Sequence, residues 1–313
     1  MKKVTVFGGG TGLSFLLKGL KEFPIDLRAI VSVCDDGRST GKLRKEFNIP
    51  AMGDIRKVIV SLAETEPLMG QILNYRFKTN NDLNEHTVGN LLLTASSQIT
   101  GNFSDGIKAI SNVLNLKGKV IPFSEDNITL MGEMEDGSVV EGESEITESP
   151  LSIRKVFYKN SPKVCDEVIE SINESDLIIF SMGSLFTSII PNLLSKKVIK
   201  AIDNSKAKIM YVCNMMSQPG ETDRFKVSDH INTINTYLGK RKIDVVIANN
   251  GKIEKSIAKK YASLEQKDQI LLDEKNIDCE IIKDNYFVIE DNYIRHNVLK
   301  LSLAIYTYLL TIE

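Results

Sequence analysis

The chain has 313 residues, of which 42% are hydrophobic and 26% are charged, and its formal net charge is −2 at pH 7. This is the composition of a globular protein with a large core, and the near-neutral charge argues against a nucleic-acid-binding protein that relies on neutralising phosphates. The four cysteines form no CxxC pair and the three histidines add no dense His/Cys metal cluster, so we expect reduced core thiols.

The first predicted strand, at residues 3–7, is followed directly by a glycine-rich turn, Gly8-Gly9-Gly10-Thr11-Gly12. Leucines at helical spacing come next, at positions 13, 16, 17 and 20. A strand, a glycine turn and a helix together place backbone N–H groups and a helix N-terminus against a phosphate. A turn that only joins the strand to the helix is the alternative, but four glycines with a threonine among them favour a phosphate site.

The main strands that follow have the nearly continuous apolar pattern of a buried parallel sheet; they lie at residues 28–34, 176–181, 208–213 and 244–248. Small polar residues or glycines come directly after nearly every strand, at residues 9–12, 35–41, 182–184, 214–222 and 249–251. Because the carboxyl ends of parallel strands meet at one edge, we expect these loops to form one long crevice. The alternative is that Gly, Asn and Ser are common in turns and that each loop is unrelated to the others.

Two other segments have their own patterns. Residues 119–157 show period-two alternation with an Asp-Gly turn, which indicates antiparallel hairpins and a β insertion. The apolar run at 298–312 is too short to cross a bilayer and is interrupted by Lys300, so we interpret it as a helix that docks on the sheet. No signal-peptide pattern precedes the first strand, and we therefore expect a cytoplasmic protein without membrane insertion.

Two familiar phosphate-binding patterns are incomplete. The dinucleotide pattern requires a third glycine after Gly8 and Gly10, but Leu13 stands at that position. Asp35 lies about where a ribose-binding acid would be, so a nicotinamide-dependent oxidoreductase remains an alternative. The Walker pattern at residues 37–43 is one residue short between its glycines, and Leu43 replaces the magnesium-binding Ser or Thr, which excludes a P-loop.

Asp35 and Asp36 stand side by side after the second strand. Two carboxylates in a glycine-rich loop could bind Mg²⁺, with phosphate supplying the remaining oxygen ligands. Alternatively, one of them could act as a general base on an attacking hydroxyl. A third interpretation is that both only cap turns.

Arg56 and Arg295 are the cationic candidates for a diphosphate, because a guanidinium binds oxygens through two N–H groups. For each arginine alone, a solvated surface position is the simpler interpretation. His86 and Asn90 lie near a predicted helix start, where they are either polar caps or donors to a phosphate or sugar.

Several motifs together resemble the YvcK branch of the CofD-like family: VFGGGTG at 6–12, DDGRSTGKLR at 35–44, GDIR at 53–56, GNLL at 89–92, GSLFTSIIPNLL at 183–194 and NMMSQPGET at 214–222. The match runs nearly end to end and includes the pair Arg295-His296. Arg38 stands where the family commonly has glycine, and Met182 where glycine or proline is common, which affects the shape of two loops.

The resemblance implies a Rossmann-like α/β fold in a single domain of residues 1–313. Its sheet should be mostly parallel, with helices on both faces and a small β-hairpin insertion at about 119–157. Members of the CofD branch are 2-phospho-L-lactate transferases that use a guanosine diphosphate-linked donor and a divalent metal. Members of the YvcK branch are known as gluconeogenesis factors, bind UDP-sugars, and are needed for cell shape and for growth on gluconeogenic carbon sources, without an established reaction.

Our interpretation is a regulatory protein of the second branch that binds a nucleotide sugar of the UDP-N-acetylglucosamine class. The residues expected at the ligand are Gly9, Gly10, Thr11, Gly12, Asp36, Ser39, Asp54, Arg56, Asn90, Gly183, Ser184, Asn214, Thr222, Asn249 and Arg295. The alternative is a metal-dependent transferase acting on a nucleotide-diphosphate-linked donor, with Asp35 or Asp36 as the catalytic or Mg²⁺-binding carboxylate. The preferred sugar, the existence of a reaction and the formation of a homo-oligomer stay open.

Overall fold

The computed structural model describes residues 1–254, 256, 263, 266–290 and 293–312. Its strands are β1 (Lys3–Gly8), β2 (Asp26–Val31), β3 (Lys119–Pro122), β4 (Leu130–Met134), β5 (Val139–Glu141), β6 (Ile153–Tyr158), β7 (Leu177–Phe180), β8 (Lys208–Val212), β9 (Val245–Asn249), β10 (Glu280–Asp284), β11 (Phe287–Glu290) and β12 (Tyr293–His296). Seven of them form one sheet in the order β10-β9-β8-β7-β1-β2-β3.

The α-helices are α1 (Gly10–Leu20), α2 (Arg38–Phe47), α3 (Gly53–Leu62), α4 (Pro67–Asn74), α5 (Val88–Thr100), α6 (Phe103–Val113), α7 (Glu143–Glu148), α8 (Asp166–Glu174), α9 (Lys196–Asn204), α10 (Val227–Tyr237) and α11 (Val298–Thr311). Between β7 and α9 the chain forms a π-helical turn, Leu185–Ile189, and then a 3₁₀ turn, Ile190–Leu193.

All neighbouring strands of the seven-stranded sheet are parallel. β1 is an interior strand, between β2 and β7, and its Val4, Val6 and Phe7 are fully buried. A parallel strand that is covered on both faces must be apolar on both sides, which explains its nearly continuous hydrophobic sequence. The predicted α/β fold with a parallel sheet is confirmed.

Helices cover both faces of the sheet. α1 packs against α3 and α11, and the contact with α11 is close because residue 19 is glycine: a Cβ there would overlap Ser302 Oγ. α8 lies on the face to which Thr5 points, and the Thr5 hydroxyl donates to the carbonyl oxygen of Ser171 at 3.2 Å. The final apolar run is thus a docked helix, as its pattern predicts.

The β insertion is smaller than the sequence pattern predicts. β4, β5 and β6 form a separate antiparallel sheet in the order β5-β4-β6, and α7 packs against it. β3 was expected within the insertion but pairs in parallel with β2 at the edge of the main sheet. Its Val120 and Ile121 are buried, and this continuous apolar pair suits a parallel strand better than an alternating hairpin.

The four cysteines are free thiols, and Cys34 and Cys213 are buried in the core. Burial raises the pKa of the Cys34 thiol to about 11 and that of Cys213 to about 12, so both stay protonated at neutral pH. Within the described residues, no helix is long and apolar enough to cross a membrane.

Candidate functional site

The loops after β1 and β7 leave the carboxyl edge of the sheet in different directions. From β1 the chain continues to β2 on one side, whereas β7 pairs with β1 on the other side and continues to β8. Open α/β sheets bind ligands at such a switch point. A cavity of about 440 Å³ lies there, and it is lined by these predicted ligand residues: Gly9, Gly10, Thr11, Gly12, Gly183, Ser184, Asn214 and Arg295.

The glycine turn packs directly against the end of β7. A Cβ on Gly8 would overlap Ser181 Oγ, and a Cβ on Gly12 would overlap the carbonyl oxygen of Met182. Gly10 has φ +62°, a backbone conformation that favours glycine. These glycines therefore allow the first turn of α1 to lie against the neighbouring loop.

The N-terminus of α1 is open towards the cavity. Gly9 is its N-cap, and among the described residues no side chain caps the first turn and no acidic residue lies in it. The first amides of a helix have no partner within the helix and bind anions well. A phosphate at this position could thus accept hydrogen bonds from the N–H groups of Gly10, Thr11 and Gly12.

Asn214 fixes the shape of the loop after β7. Its Oδ1 accepts a hydrogen bond from Gly183 N at 2.9 Å, and its Nδ2 donates to the Gly183 carbonyl oxygen at 2.6 Å. Both polar atoms of the amide are used on one glycine. Asn214 lines the cavity, but its main role in this arrangement is to position Gly183.

Ser184 is also engaged with protein groups. Its Oγ accepts from Thr187 N at 3.0 Å and donates to Oε1 of Glu221. Glu221 Oε1 in addition accepts from Phe186 N at 2.9 Å. At the start of the π-helical turn, the Phe186 amide therefore already has a carboxylate as its acceptor and the Thr187 amide has the Ser184 hydroxyl, in contrast to the amides of α1.

The rest of the cavity lining combines apolar side chains, further polar residues such as Ser188, Gln218 and Lys267, and the C-terminal hairpin of β11 and β12. Phe15, Met215 and Met216 form part of the wall, and Ile294, Arg295 and His296 line the side that β12 provides. A flat apolar group such as a nucleobase fits a wall of this kind.

Thr222 and Asn249 lie outside the cavity lining and act on its walls. Thr222 is fully buried, and its Oγ1 accepts from Gln218 N at 2.9 Å, which ties the loop that carries Gln218 into the cavity. Asn249, at the end of β9, accepts from Tyr286 N at 3.0 Å and so holds the start of the hairpin. Both residues therefore lie at the site and stabilise the walls of the cavity.

Asp35 and Asp54 lie together beside the glycine turn. A Cβ on Gly9 would lie 2.9 Å from Asp54 Oδ2, and Lys57 Nζ pairs with Asp54 Oδ1 at 3.0 Å. Burial, and then the negative charge of Asp54, raise the pKa of the Asp35 carboxyl. The helix α3 has Met52 as its N-cap, and Asp54 lies in its first turn.

These two carboxylates suit Mg²⁺ only together with a ligand. Mg²⁺ is commonly held by one or two carboxylates with phosphate oxygens and water completing its coordination. In the described part of the chain, no group of three or more His, Cys, Asp or Glu side chains could hold a metal ion by itself. A metal at Asp35 and Asp54 would therefore depend on the phosphates of a bound nucleotide.

Asp36 turns away from Asp35 and holds the insertion. Its Oδ1 accepts from Ser144 N at 2.9 Å, at the start of α7. The neighbouring Glu143 thereby faces the carboxylate pair: burial, followed by the charges of Asp35 and Asp54, raises the pKa of Glu143 to about 7. Glu143 belongs to the alternating segment, where an exposed glutamate is ordinary, and its sequence gives no sign of this position.

The predicted residues Ser39, Arg56 and Asn90 form a buried polar network with His86. Ser39 Oγ lies 3.0 Å from His86 Nδ1, Asn90 Nδ2 donates to Ser39 Oγ at 3.2 Å, and Arg56 Nε donates to Asn90 Oδ1 at 3.1 Å. None of the four lines the cavity. They join α2, α3 and α5 behind the carboxylates, and burial lowers the pKa of His86, which favours its neutral form.

Residues 4–287 match the family model described as 2-phospho-L-lactate transferase CofD. The chain is 46% identical to the gluconeogenesis factor of Halalkalibacterium halodurans over 309 residues, which is 97% of this chain and 95% of that protein. It is 43% identical to the gluconeogenesis factor of Bacillus subtilis, with 96% of each chain covered.

A crystal structure of a Bacillus halodurans protein superposes with a TM-score of 0.93 at 44% sequence identity, covering 97% of this chain and 99% of that one. The matches extend over nearly the whole length of the chain and include the glycine turn, the carboxylate loop and the loop of Asn214. The chain therefore belongs to the CofD family, in the branch whose relatives are called gluconeogenesis factors.

Proposed function

We propose that this protein is a cytoplasmic gluconeogenesis factor that binds a UDP-sugar and acts as a regulator of cell shape and of growth on gluconeogenic carbon sources. The observation that carries the proposal is the open N-terminus of α1 at the sheet's switch point, with an apolar wall beside it. The names of the relatives support the part of the proposal that concerns gluconeogenesis.

The diphosphate and the base of a nucleotide sugar each have a matching region in the cavity. The amides of Gly10, Thr11 and Gly12 suit the diphosphate. Arg295, on the hairpin that closes one side, adds a guanidinium for the phosphates or the nucleotide. The apolar wall of Phe15 and Met216 suits the base.

Calorimetric titration with UDP-N-acetylglucosamine, UDP-glucose and GDP tests the proposal. We expect saturable binding of at least one UDP-sugar and weaker binding of GDP. No detectable heat with either UDP-sugar at millimolar concentration would contradict it.

The second candidate is a transferase that acts on a nucleotide-diphosphate-linked donor. The position of Asp35 and Asp54 beside the glycine turn favours it, because a Mg²⁺ ion bound there would neutralise charge on a leaving diphosphate. The residues around the cavity would orient the donor and exclude water. Asp35 would be available to accept a proton from an attacking hydroxyl.

Metal dependence and one substitution separate the two candidates. A transferase should release free nucleotide from its donor in the presence of Mg²⁺ and lose at least about 100-fold in turnover in Asp54→Asn, with its fold kept. A binding protein should show no nucleotide release with or without Mg²⁺, while it still binds UDP-sugars.

A further inference from the structure

The short helix α4 carries an apolar stripe on the side that faces solvent. Its core-facing side has Leu73, which is buried, and Gly70, which lies next to α3. Leu68, Ile72 and Tyr75, which directly follows the helix, have exposed fractions of 63%, 40% and 57%. Their spacing of four and then three residues puts them on one side of the helix, away from Leu73 and Gly70. A surface helix usually has the opposite arrangement, with its apolar residues towards the core.

The composition of α4 is also unusual for a helix on the surface. Its sequence, PLMGQILN, contains no charged residue. The surface helix α9 has nearly the same length and carries three lysines and an aspartate. Charged residues are depleted, and methionine and tyrosine enriched, in the buried centre of protein interfaces. The stripe, with the exposed Met69 beside it, therefore has the composition of an interface.

The surface of α4 is held in place by the body of the protein. The amide of Val88 donates to the Tyr75 carbonyl oxygen at 3.1 Å, and the buried Arg56 donates through Nη1 to Oδ1 of Asn74. The ring of Tyr75 also packs edge-on against Phe77, with ring centroids 5.3 Å apart. A surface that is already ordered loses little conformational entropy when a partner binds to it.

The charges on either side of α4 favour a second copy of this chain as the partner. Glu64 and Glu66 precede the uncharged segment 67–75, and Arg76 and Lys78 follow it. When two copies pack α4 against α4 about a two-fold axis, with the helices antiparallel, the acidic end of each segment lies towards the basic end of the other. The two helix dipoles are then antiparallel as well. A parallel arrangement would instead bring like charges together.

We infer that this protein forms a homodimer through α4, with the two α4 helices antiparallel and Ile72, the middle residue of the stripe, near the two-fold axis. The surface is the same patch on both copies, as a two-fold interface requires. The inference goes beyond the proposed function and does not depend on which ligand the cavity binds.

Sedimentation velocity of the full chain over a range of concentrations tests the dimer. We expect the wild type to be mainly dimeric at about 10 μM. Leu68→Glu places a charge in the stripe of both copies and should raise the Kd of the dimer at least about 100-fold. The matched control is Leu310→Glu in α11, because Leu310 has the same exposed fraction of 63% and its helix packs on α1. This control should leave the Kd unchanged.

Cross-linking tests the antiparallel arrangement. Near the axis, the thiols introduced by Ile72→Cys lie close together, so a short bismaleimide should convert most of this variant into a covalent dimer. Leu310→Cys is the control and should give no more covalent dimer than the wild type, whose native cysteines set the background. Thermal unfolding of every variant checks that it is folded, which we expect because all the substituted side chains are exposed.

A wild-type protein that stays monomeric up to about 100 μM would overturn the inference and leave the surface of α4 to a different partner. A dimer that persists unchanged in folded Leu68→Glu would overturn the role of α4. A dimer that depends on Leu68 but is not cross-linked in Ile72→Cys would overturn the antiparallel arrangement.

Discussion

At the scale of single residues, Gly12 determines how closely the two sides of the cavity approach. The atom that a Cβ would overlap is a backbone carbonyl oxygen, that of Met182, which cannot rotate away as a side chain could. Any larger residue must push α1 away from the loop after β7. The open amides of α1 would then no longer face the proposed diphosphate site in the same geometry.

For Gly12→Ala we expect a loss of stability of about 1–3 kcal/mol, as for overpacked core positions, and a loss of UDP-sugar binding. Urea unfolding and calorimetry measure the two effects. The control is Gly70→Ala in α4, where the nearest atom to the new Cβ is Val60 Cγ1 at 3.8 Å. This variant should bind normally and be as stable as the wild type or more stable by about 1 kcal/mol, since alanine favours a helix. Equal stability of the two variants would contradict the packing argument.

His230 is a second residue with a measurable individual effect, and it lies in α10, apart from the cavity. It is fully buried, its Nδ1 lies 2.9 Å from the hydroxyl of Tyr211, and burial lowers its pKa to about 4. The unfolded chain binds a proton at this residue below its ordinary pKa of about 6.5. The folded state does so only near pH 4, so the stability contributed by neutral His230 is present above pH 6.5 and is lost as the pH falls towards 4.

We therefore expect the free energy of unfolding of the wild type to fall, relative to that of His230→Phe, by up to about 3 kcal/mol between pH 7 and pH 4. Urea unfolding at several pH values measures this difference. Tyr211→Phe is the control, because it removes the hydroxyl and keeps the histidine, so its pH dependence should follow that of the wild type. Parallel curves for the wild type and His230→Phe would contradict the expectation.

The sequence identifies a residue of the site when a local feature, such as a position directly after a strand, places that residue there. The glycine turn, Gly183 and Asn214 follow strands directly, and the parallel sheet brings them together as predicted. Glu221 and Glu143 approach the cavity through hydrogen bonds and packing between distant segments, which leave no local pattern. For the same reason the sequence cannot separate residues that line the cavity from those, such as Thr222 and Asn249, that support its walls.

At the scale of elements, hydrogen bonds near the site attach the small antiparallel sheet to the main body. Asp36 accepts from Ser144 N at 2.9 Å, and the hydroxyl of Tyr158 donates to the Pro191 carbonyl. The sequence predicts the hairpins from their alternation but not this attachment, because Asp36 precedes Ser144 by 108 residues. The sequence likewise does not show where β3 ends and the insertion begins. That boundary depends on which sheet has an edge strand with which β3 can pair.

For Asp36→Ala we expect the start of α7 to lose its attachment, since the Ser144 amide then has no acceptor of comparable strength. Hydrogen exchange of residues 142–149, followed by mass spectrometry, should speed up by at least about tenfold, which corresponds to the ~1.5–3 kcal/mol of a hydrogen bond to a charged group. Asp136→Ala is the control, because Asp136 bonds Ser138 at the far end of the insertion. Unchanged exchange at 142–149 in Asp36→Ala would show that Asp36 does not hold α7.

At the scale of the whole molecule, one continuous hydrophobic core extends through the sheet and reaches the insertion through Leu130, Ile146 and Val156. Elements that share a core unfold together. The prediction of a single domain over residues 1–313 therefore has a direct test in the number of thermal transitions.

We expect one cooperative transition in scanning calorimetry, with calorimetric and van't Hoff enthalpies that agree. Saturation with the preferred UDP-sugar should raise the midpoint of that transition, because a ligand at 100 times its Kd stabilises the folded state by about 2.7 kcal/mol. A nucleoside without phosphates serves as the control and should leave the midpoint unchanged. Two resolved transitions, only one of which responds to the UDP-sugar, would indicate that the insertion or another part unfolds as a separate unit.

The packing of α11 on α1 has a consequence for how the protein forms during translation. Gly19 lies against Ser302 and Val298, so the helix that we propose binds the diphosphate rests on residues about 280 positions later in the chain. β1 in turn needs β7, whose last residue is Phe180, as its second neighbour. The segment of β1 and α1 is thus synthesised long before its final surroundings are complete, and a nascent chain should acquire ligand affinity only after α11 has emerged from the exit tunnel.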